Sequence, residues 1–199
     1  MTFAPVTAPV TAPRVLLLPG WQDSGPGHWQ SRWEALHGHQ RVQQADWQWP
    51  RRGDWMARLE EVLLEDDRPV LLAAHSLGCQ LVAAWAAHSR HTGRVQGALL
   101  VAPPDTEGED TPPQLHTWAP MVRAALPFPS IALLSRDDPY GRFYRMAAVA
   151  EGWGARLVDA GLRGHLNAES GLGDWPEGLA YLRSLRAEEP RLSTPVVSP

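Results

Sequence analysis

The chain has 199 residues, of which 44% are hydrophobic and 20% charged, and its formal net charge is −4 at pH 7. These values are typical of one globular domain, and the lack of any basic block argues against nucleic acid as a partner. All 18 basic residues are arginine and the only cysteine is Cys79, which excludes a Schiff-base or P-loop lysine, an internal disulfide and a cysteine-rich metal site.

Proline-containing segments begin and end the chain, and they predict flexible tails at residues 1–13 and 188–199 around one domain at 14–187. The first segment lacks the basic region and the unbroken apolar region of a signal peptide. No apolar run approaches the roughly 18–20 residues that span a bilayer. We therefore expect a soluble, cytoplasmic protein without a membrane partner.

Short apolar runs alternate with amphipathic segments throughout the domain. The first run, 14–18, ends at Pro19-Gly20 and predicts a strand buried on both faces. Further strands are predicted at 69–74, 94–101, 130–135 and 155–159, with a weaker one at 41–47. Helices are predicted at 28–36, at 55–65 after an Asp54 cap, at 77–89, at 140–151 and after an Asp174 cap. About six buried strands separated by helices predict an α/β fold, with a parallel sheet and helices on both faces.

In such a sheet, ligands bind beyond the carboxyl ends of the strands, so functional side chains should directly follow strands. Residues 103–127 follow one of these ends; they are acidic and rich in proline before a possible short helix at 114–126. This segment is either a cap over a pocket or an ordinary surface excursion.

The strongest local motif is the strand–turn–helix around Ser76. The strand ends at Ala74, Ser76 lies at the turn, and a helix-forming segment follows Gly78. The resulting A-H-S-L-G sequence is close to the G-x-S-x-G nucleophile elbow, in which small residues let strand and helix approach each other. The motif alone is equally compatible with a serine that caps a helix after a buried strand.

A serine nucleophile needs a neighbouring base, which is nearly always a histidine. Of the histidines after Ser76, His88 and His91 lie at the far end of its helix, up to about 18 Å away. His116 lies in the possible cap, whereas His165 directly follows the last strand. His165 is therefore the predicted base. The other histidines are expected on the surface, in loops or in packing positions: His28, His37, His39 and His75. Their spacing fits no metal site.

Asp138 is the favoured acid, because it ends a strand and precedes Pro139, which can fix the turn that presents the carboxylate. Asp137 would then face solvent or bind the backbone, and Asp105 is the runner-up. The order Ser, acid, His along the chain is that of hydrolases with this layout.

Two backbone amides are predicted to form an oxyanion hole, those of Leu77 and Trp21. Leu77 directly follows the serine, and Trp21 lies in the loop after the first strand. A phosphate-binding role for that glycine-rich loop is disfavoured, because it lacks lysine and the G-x-G-x-x-G spacing. Three tryptophans are candidate walls of a substrate pocket: Trp21, Trp29 and Trp118.

Four stretches resemble the small serine hydrolases related to retinoblastoma-binding protein 9. They are Pro19–Glu34, His75–Cys79, Ser135–Tyr140 and Gly164–Gly178, of which the last is long and specific. The resemblance implies a compact α/β-hydrolase fold without the first two strands of larger enzymes, and a triad of Ser76, Asp138 and His165. Ala74 departs from the family's first elbow glycine. The L-x-C-x-E pattern read by pocket proteins is absent, so that partner is not carried over.

We therefore predict a serine hydrolase for small carboxylic esters or amides, with no cofactor implied. The alternative is a catalytically idle α/β-hydrolase fold that serves as a protein- or ligand-binding module. The two hypotheses differ in whether Ser76 reacts with an active-site-directed phosphonate.

Overall fold

A computed structural model describes residues 12–186, so most of both predicted tails lies outside the described residues. Its centre is one parallel sheet of six strands in the order β2-β1-β3-β4-β5-β6. The strands are β1 (Arg14–Leu18), β2 (Gln40–Arg41), β3 (Val70–His75), β4 (Val95–Val101), β5 (Ser130–Leu134) and β6 (Arg156–Asp159). The predicted α/β fold class is thus confirmed.

Residues 12–186 contain five α-helices, of which four lie between strands and the fifth follows β6. They are α1 (Trp29–His37), α2 (Arg52–Leu64), α3 (Leu77–Ala86), α4 (Phe143–Gly152) and α5 (Pro176–Ser184). Short 3₁₀ turns lie at Thr92–Arg94, Pro113–Trp118 and Ala168–Ser170. Within the described part of the chain, no helix has the length and apolar character needed to cross a membrane.

Alternate residues of the buried strands contribute to two cores, one on each face of the sheet. Leu72 and Ala74 of β3 face the core that α2, α3 and α4 cover, whereas Leu71 and Ala73 face the core under α1 and α5. This period-two alternation of buried side chains is what a strand covered on both faces requires. The sheet is therefore held rigidly, and the loops at its carboxyl edge start from fixed points.

Two helices begin differently from the prediction. Helix α2 starts at Arg52, so Asp54 lies in its first turn and is not the cap. Helix α5 is preceded by Trp175 in the left-handed region, at φ 44°. Asp174 instead forms an ion pair with Arg32, which occupies the carboxylate that was predicted to cap α5.

The predicted strand at 41–47 is reduced to the two residues of β2. The guanidinium group of Arg41, which ends β2, is buried among polar partners and pairs with Asp23 and Glu34. Further along, the carboxylate of Asp46 accepts hydrogen bonds from the amides of Gln48 and Trp49 and turns the chain. Side chain–backbone bonds of this kind compete with strand pairing, which explains the short strand.

The segment 103–127 contains a 3₁₀ turn and otherwise irregular chain in place of the predicted helix at 114–126. It is anchored at the start of α2 and in the loop before it. The Thr117 hydroxyl accepts from the Arg52 amide, and the Trp118 indole N–H donates to the Pro50 carbonyl. Its role as a cap stays a prediction.

Candidate active site

The serine turn joins β3 to α3 through a strained backbone. Ser76 has φ 53° and ψ −125°, a conformation that non-glycine residues rarely adopt. A Cβ atom on Gly78 would overlap the Leu18 carbonyl oxygen, so only glycine lets α3 begin this close to the end of β1. Ala74, by contrast, is fully buried with its methyl group in the core. The turn thus accommodates alanine before the serine and requires glycine after it.

The loop after β1 lies directly beside the serine. A Cβ built on Gly20 would stand 2.7 Å from Ser76 Cβ and 3.1 Å from Ser76 Oγ. Leu77, as the first residue of α3, carries an amide that has no acceptor within the helix. Both predicted oxyanion donors therefore belong to backbone segments that border the hydroxyl.

An unbroken chain of hydrogen bonds links the serine to a histidine and a carboxylate. Ser76 Oγ lies 2.9 Å from His165 Nε2, and His165 Nδ1 lies 2.9 Å from both carboxylate oxygens of Asp138. The side chains of His165 and Asp138 are 8% and 4% exposed. Because a carboxylate can only accept here, His165 carries its proton on Nδ1 and offers the Nε2 lone pair to the serine hydroxyl.

The two neighbouring aspartates on the loop after β5 have separate partners. Besides His165, the carboxylate of Asp138 accepts a hydrogen bond from the Tyr140 amide, which fixes its orientation. Asp137 accepts hydrogen bonds from the Ser135 hydroxyl and the Gly164 amide at 2.6 and 2.8 Å. These two donors hold the pKa of Asp137 below its usual value. Asp137 thereby ties this loop to the segment that carries His165.

The runner-up acid is occupied elsewhere. The carboxylate of Asp105 pairs with the Arg145 guanidinium group at 2.5 Å, and it also accepts the Glu107 amide. The acid that contacts His165 is therefore Asp138.

Two further histidines, His75 and His28, pack in sequence behind His165, away from solvent. His75 donates its Nε2–H to the His165 backbone carbonyl at 2.8 Å, and the two rings are 4.8 Å apart. The ring of His28 lies 4.5 Å from that of His75, with Nδ1 accepting the Gln30 amide as the cap of α1. Burial lowers the pKa of His75 well below its usual value and, with Arg41 nearby, lowers that of His28 to about 3.

His28 lies at the end of the loop before α1, which is one of the two predicted locations, but it is not on the surface. The side chain is only 4% exposed, because the loop after β1 folds it against His75. Histidine is not a common helix cap, so nothing local in the sequence indicated this position.

Two of the three candidate pocket tryptophans are packing residues. Trp29 and Trp118 are each 1% exposed, and their indole N–H groups donate to the carbonyls of Leu166 and Pro50. Neither ring borders an open surface, and a role as pocket walls stays a prediction for both. Trp21 differs, because it is half-buried and lies in the loop beside Ser76.

Backbone strain concentrates around this constellation. Of the six non-glycine residues with positive φ in the described chain, five follow β1, β3, β4 or β6 at the carboxyl edge of the sheet. They are Gln22, Asp23, Ser76, Ala102 and Leu166. In residues 12–186, no group of three or more histidine, cysteine or acidic side chains is arranged to hold a metal ion.

The sheet topology and the serine turn define the protein as an α/β-hydrolase. A solved YdeN-like hydrolase from Pectobacterium atrosepticum is 31% identical over 87% of this chain and 90% of its own, with a TM-score of 0.76. The ydeN gene product of Bacillus subtilis is 19% identical over 89% of this chain and 100% of its own, with a TM-score of 0.68. A carboxylesterase from Bacillus cereus is 15% identical over 89% of both chains, with a TM-score of 0.57.

The last two structures are related to this chain in fold alone, given their low identity. No match was found among curated proteins. A family model described as serine hydrolase matches residues 15–184. The chain therefore belongs to the serine hydrolase family.

Proposed function

We propose that the protein cleaves small carboxylic esters or amides through an acyl-enzyme on Ser76, with His165 as general base and acid and Asp138 as its orienting carboxylate. The observation that carries the proposal is the hydrogen-bond chain from Ser76 Oγ through His165 to Asp138, with 2.9 Å at each step. Family membership supports it, as does the strained turn that presents the hydroxyl. On the motif at 164–178, we place the chain near the members related to retinoblastoma-binding protein 9.

The reaction follows from these positions. Ser76 Oγ attacks the carbonyl carbon while its proton moves to His165 Nε2. The tetrahedral intermediate then collapses, and the leaving group departs with the proton from Nε2, which leaves an ester on Ser76. Water attacks this ester, Nε2 takes a proton from the water, and the acid product departs as Ser76 regains its proton.

The negative oxygen of each intermediate needs fixed donors. The amide of Leu77 points from the positive end of α3, and the amide of Trp21 comes from the loop that borders Ser76. Neither donor must reorganise during the reaction, because the sheet and the start of α3 hold both segments. No cofactor enters the scheme.

Labelling with a fluorophosphonate tests the assignment directly. The wild type should be labelled, Ser76→Ala should not, and Ser184→Ala, which alters an exposed serine at the end of α5, should be labelled like the wild type. A series of p-nitrophenyl esters of increasing acyl length, with Ser76→Ala as the blank, then defines the acyl preference. Labelling that persists in Ser76→Ala would sink the proposal, and a wild type without labelling or turnover would indicate the idle binding module.

A further inference from the structure

Tyr140 is an aromatic side chain in contact with His165 that the scheme above does not use. Its ring centroid lies 4.5 Å from that of His165, with 66° between the planes, an edge-type aromatic contact. The side chain is 59% exposed, in contrast to the buried His75 on the same imidazole. Tyr140 therefore forms the solvent-facing aromatic contact of the proposed base.

The backbone of Tyr140 is held by two hydrogen bonds. Its amide donates to Asp138 Oδ1 at 2.9 Å, and its carbonyl accepts the Asp105 amide at 2.8 Å. Pro139 precedes it, and the ring of this proline restricts its own φ within the turn. The same turn that presents Asp138 thus fixes the backbone from which the ring extends, and the ring faces solvent while it contacts His165.

The chemistry divides the surroundings of Ser76 into two sides. In the proposed scheme the oxyanion faces the Leu77 amide and the loop of Gly20 and Trp21, which borders Ser76. The leaving atom must come within hydrogen-bond distance of His165 Nε2, since it takes its proton from that nitrogen. A group attached to the leaving atom therefore lies next to the imidazole, in the shell that Tyr140 also occupies.

We propose that Tyr140 is a specificity residue for the leaving group, favouring aromatic over aliphatic alcohols of similar acidity. The exposed tyrosine ring offers an aryl leaving group an edge or offset contact that an aliphatic group cannot match. The acyl chain lies beyond the carbonyl carbon, away from His165, so acyl preference should be independent of Tyr140. This proposal rests on the proposed hydrolase function.

The test compares Tyr140→Leu and Tyr140→Phe with the wild type. Tyr144→Leu is the matched control, because Tyr144 is 88% exposed on α4 and its ring packs against Phe143. Substrates are phenyl acetate and hexafluoroisopropyl acetate, which differ in the leaving group, and phenyl butyrate, which differs from the first in the acyl group. Thermal unfolding first shows that each variant is folded. kcat/KM is then measured for every protein with each of the three esters.

In Tyr140→Leu, the ratio of kcat/KM for the phenyl ester over the fluoroalkyl ester should fall by roughly two- to tenfold, the effect of losing one aromatic contact. The acetate-to-butyrate ratio should not change, and Tyr140→Phe and Tyr144→Leu should keep both ratios. An equal loss on all three esters, or an unchanged leaving-group ratio, overturns the proposal. These outcomes require an active wild type, so failure of the hydrolase function itself would be seen separately, as a wild type no faster than Ser76→Ala.

Discussion

Two helices of the protein, α3 and α5, begin at a residue with positive φ. Ser76 precedes α3 with φ 53° and Trp175 precedes α5 with φ 44°, and neither side chain caps its helix. Each start also depends on a glycine within the next three positions. A Cβ atom on Gly78 would overlap backbone at the end of β1, and one on Gly178 would overlap the Trp175 indole.

The side chains that surround the first residues of α3 and α5 are different. The Ser76 hydroxyl lies 2.9 Å from His165 Nε2. The indole of Trp175 is buried in the core under α1 and α5, in contact with the rings of Trp29 and Trp33. Strained backbone is therefore not by itself the mark of a reactive site. One start holds a polar group toward His165, whereas the other closes an aromatic core.

The largest effect is expected from a substitution of Asp138, because its contact with His165 sets the start of α3 apart from that of α5. Asp138→Asn should lower kcat by about 10³- to 10⁴-fold, because an amide favours the wrong His165 tautomer. Asp137→Asn is the matched control, one residue away with a similar change in charge, and it should lower kcat far less. Steady-state kinetics on an activated ester measures both. Equal losses in the two variants would contradict the assignment of Asp138 as the orienting acid.

The second prediction substitutes the glycine of each start. Gly78→Ala should remove fluorophosphonate labelling and lower the free energy of unfolding by about 3 kcal/mol, because backbone must move apart. Gly178→Ala meets a side chain and should cost about 1–2 kcal/mol while labelling persists. Urea unfolding and labelling on the same samples separate the cases. If Gly178→Ala also removed labelling, the two starts would not be independent.

Acid should lower the free energy of unfolding, because buried neutral histidines lie close to Ser76 at the start of α3. The pKa of His28 is about 3 in the folded protein and near its usual 6.5 when unfolded. Between these values the unfolded chain binds more protons, so stability falls as the pH drops below 6.5. From pH 7 to pH 5, His28 should contribute a loss of about 2 kcal/mol.

The variant His28→Asn isolates this contribution. Asparagine keeps an acceptor for the Gln30 amide but does not titrate. Its free energy of unfolding, from urea titrations at pH 7 and pH 5, should therefore fall less on acidification than that of the wild type. His39, whose pKa is also lowered, remains in both proteins and cancels in the comparison. His28 is one cause of the lowered pKa of His75, so its removal should make the loss in the variant smaller still. An identical loss in both proteins would be evidence against a neutral, buried His28.

The smallest effect is expected from a comparison of two Ser76 variants that measures the backbone strain at this residue. Ser76→Gly removes the hydroxyl and relieves the unfavourable φ, whereas Ser76→Ala removes the hydroxyl only. Both variants should be inactive, but Ser76→Gly should be the more stable by about 1 kcal/mol. Chemical denaturation of the two variants measures the difference. A Ser76→Gly protein that is less stable than Ser76→Ala would show that the turn is not strained.

The sequence was sufficient to predict the parallel sheet and the meeting of three side chains at its edge for one physical reason. Parallel strands all end at the same edge, so Ser76, Asp138 and His165, each just past a strand, converge even though they are far apart in the chain. The choice between Asp137 and Asp138 depends on which carboxylate the turn aims at His165. Pro139 gave a reason to favour Asp138, and the hydrogen bonds agree with it.

Burial of single aromatic and histidine side chains was not predictable in the same way. The position of Trp29 depends on its bond to the Leu166 carbonyl, 137 residues along the chain. That of Trp118 depends on Pro50, 68 residues away. Contacts between residues so far apart leave no periodic pattern in the sequence. The sequence around a tryptophan near a loop is therefore the same whether its ring faces a pocket or a core.

The lone thiol of the chain lies in α3, the helix that follows Ser76. Cys79 is fully buried, and its Sγ lies 3.4 Å from the Val101 carbonyl. Burial raises the pKa of this thiol, so the native state holds no reactive thiolate. Reaction with a disulfide reagent must then wait for α3 to open. The rate of thiol modification in native buffer therefore measures how often α3, the helix that begins at Ser76, detaches from the sheet.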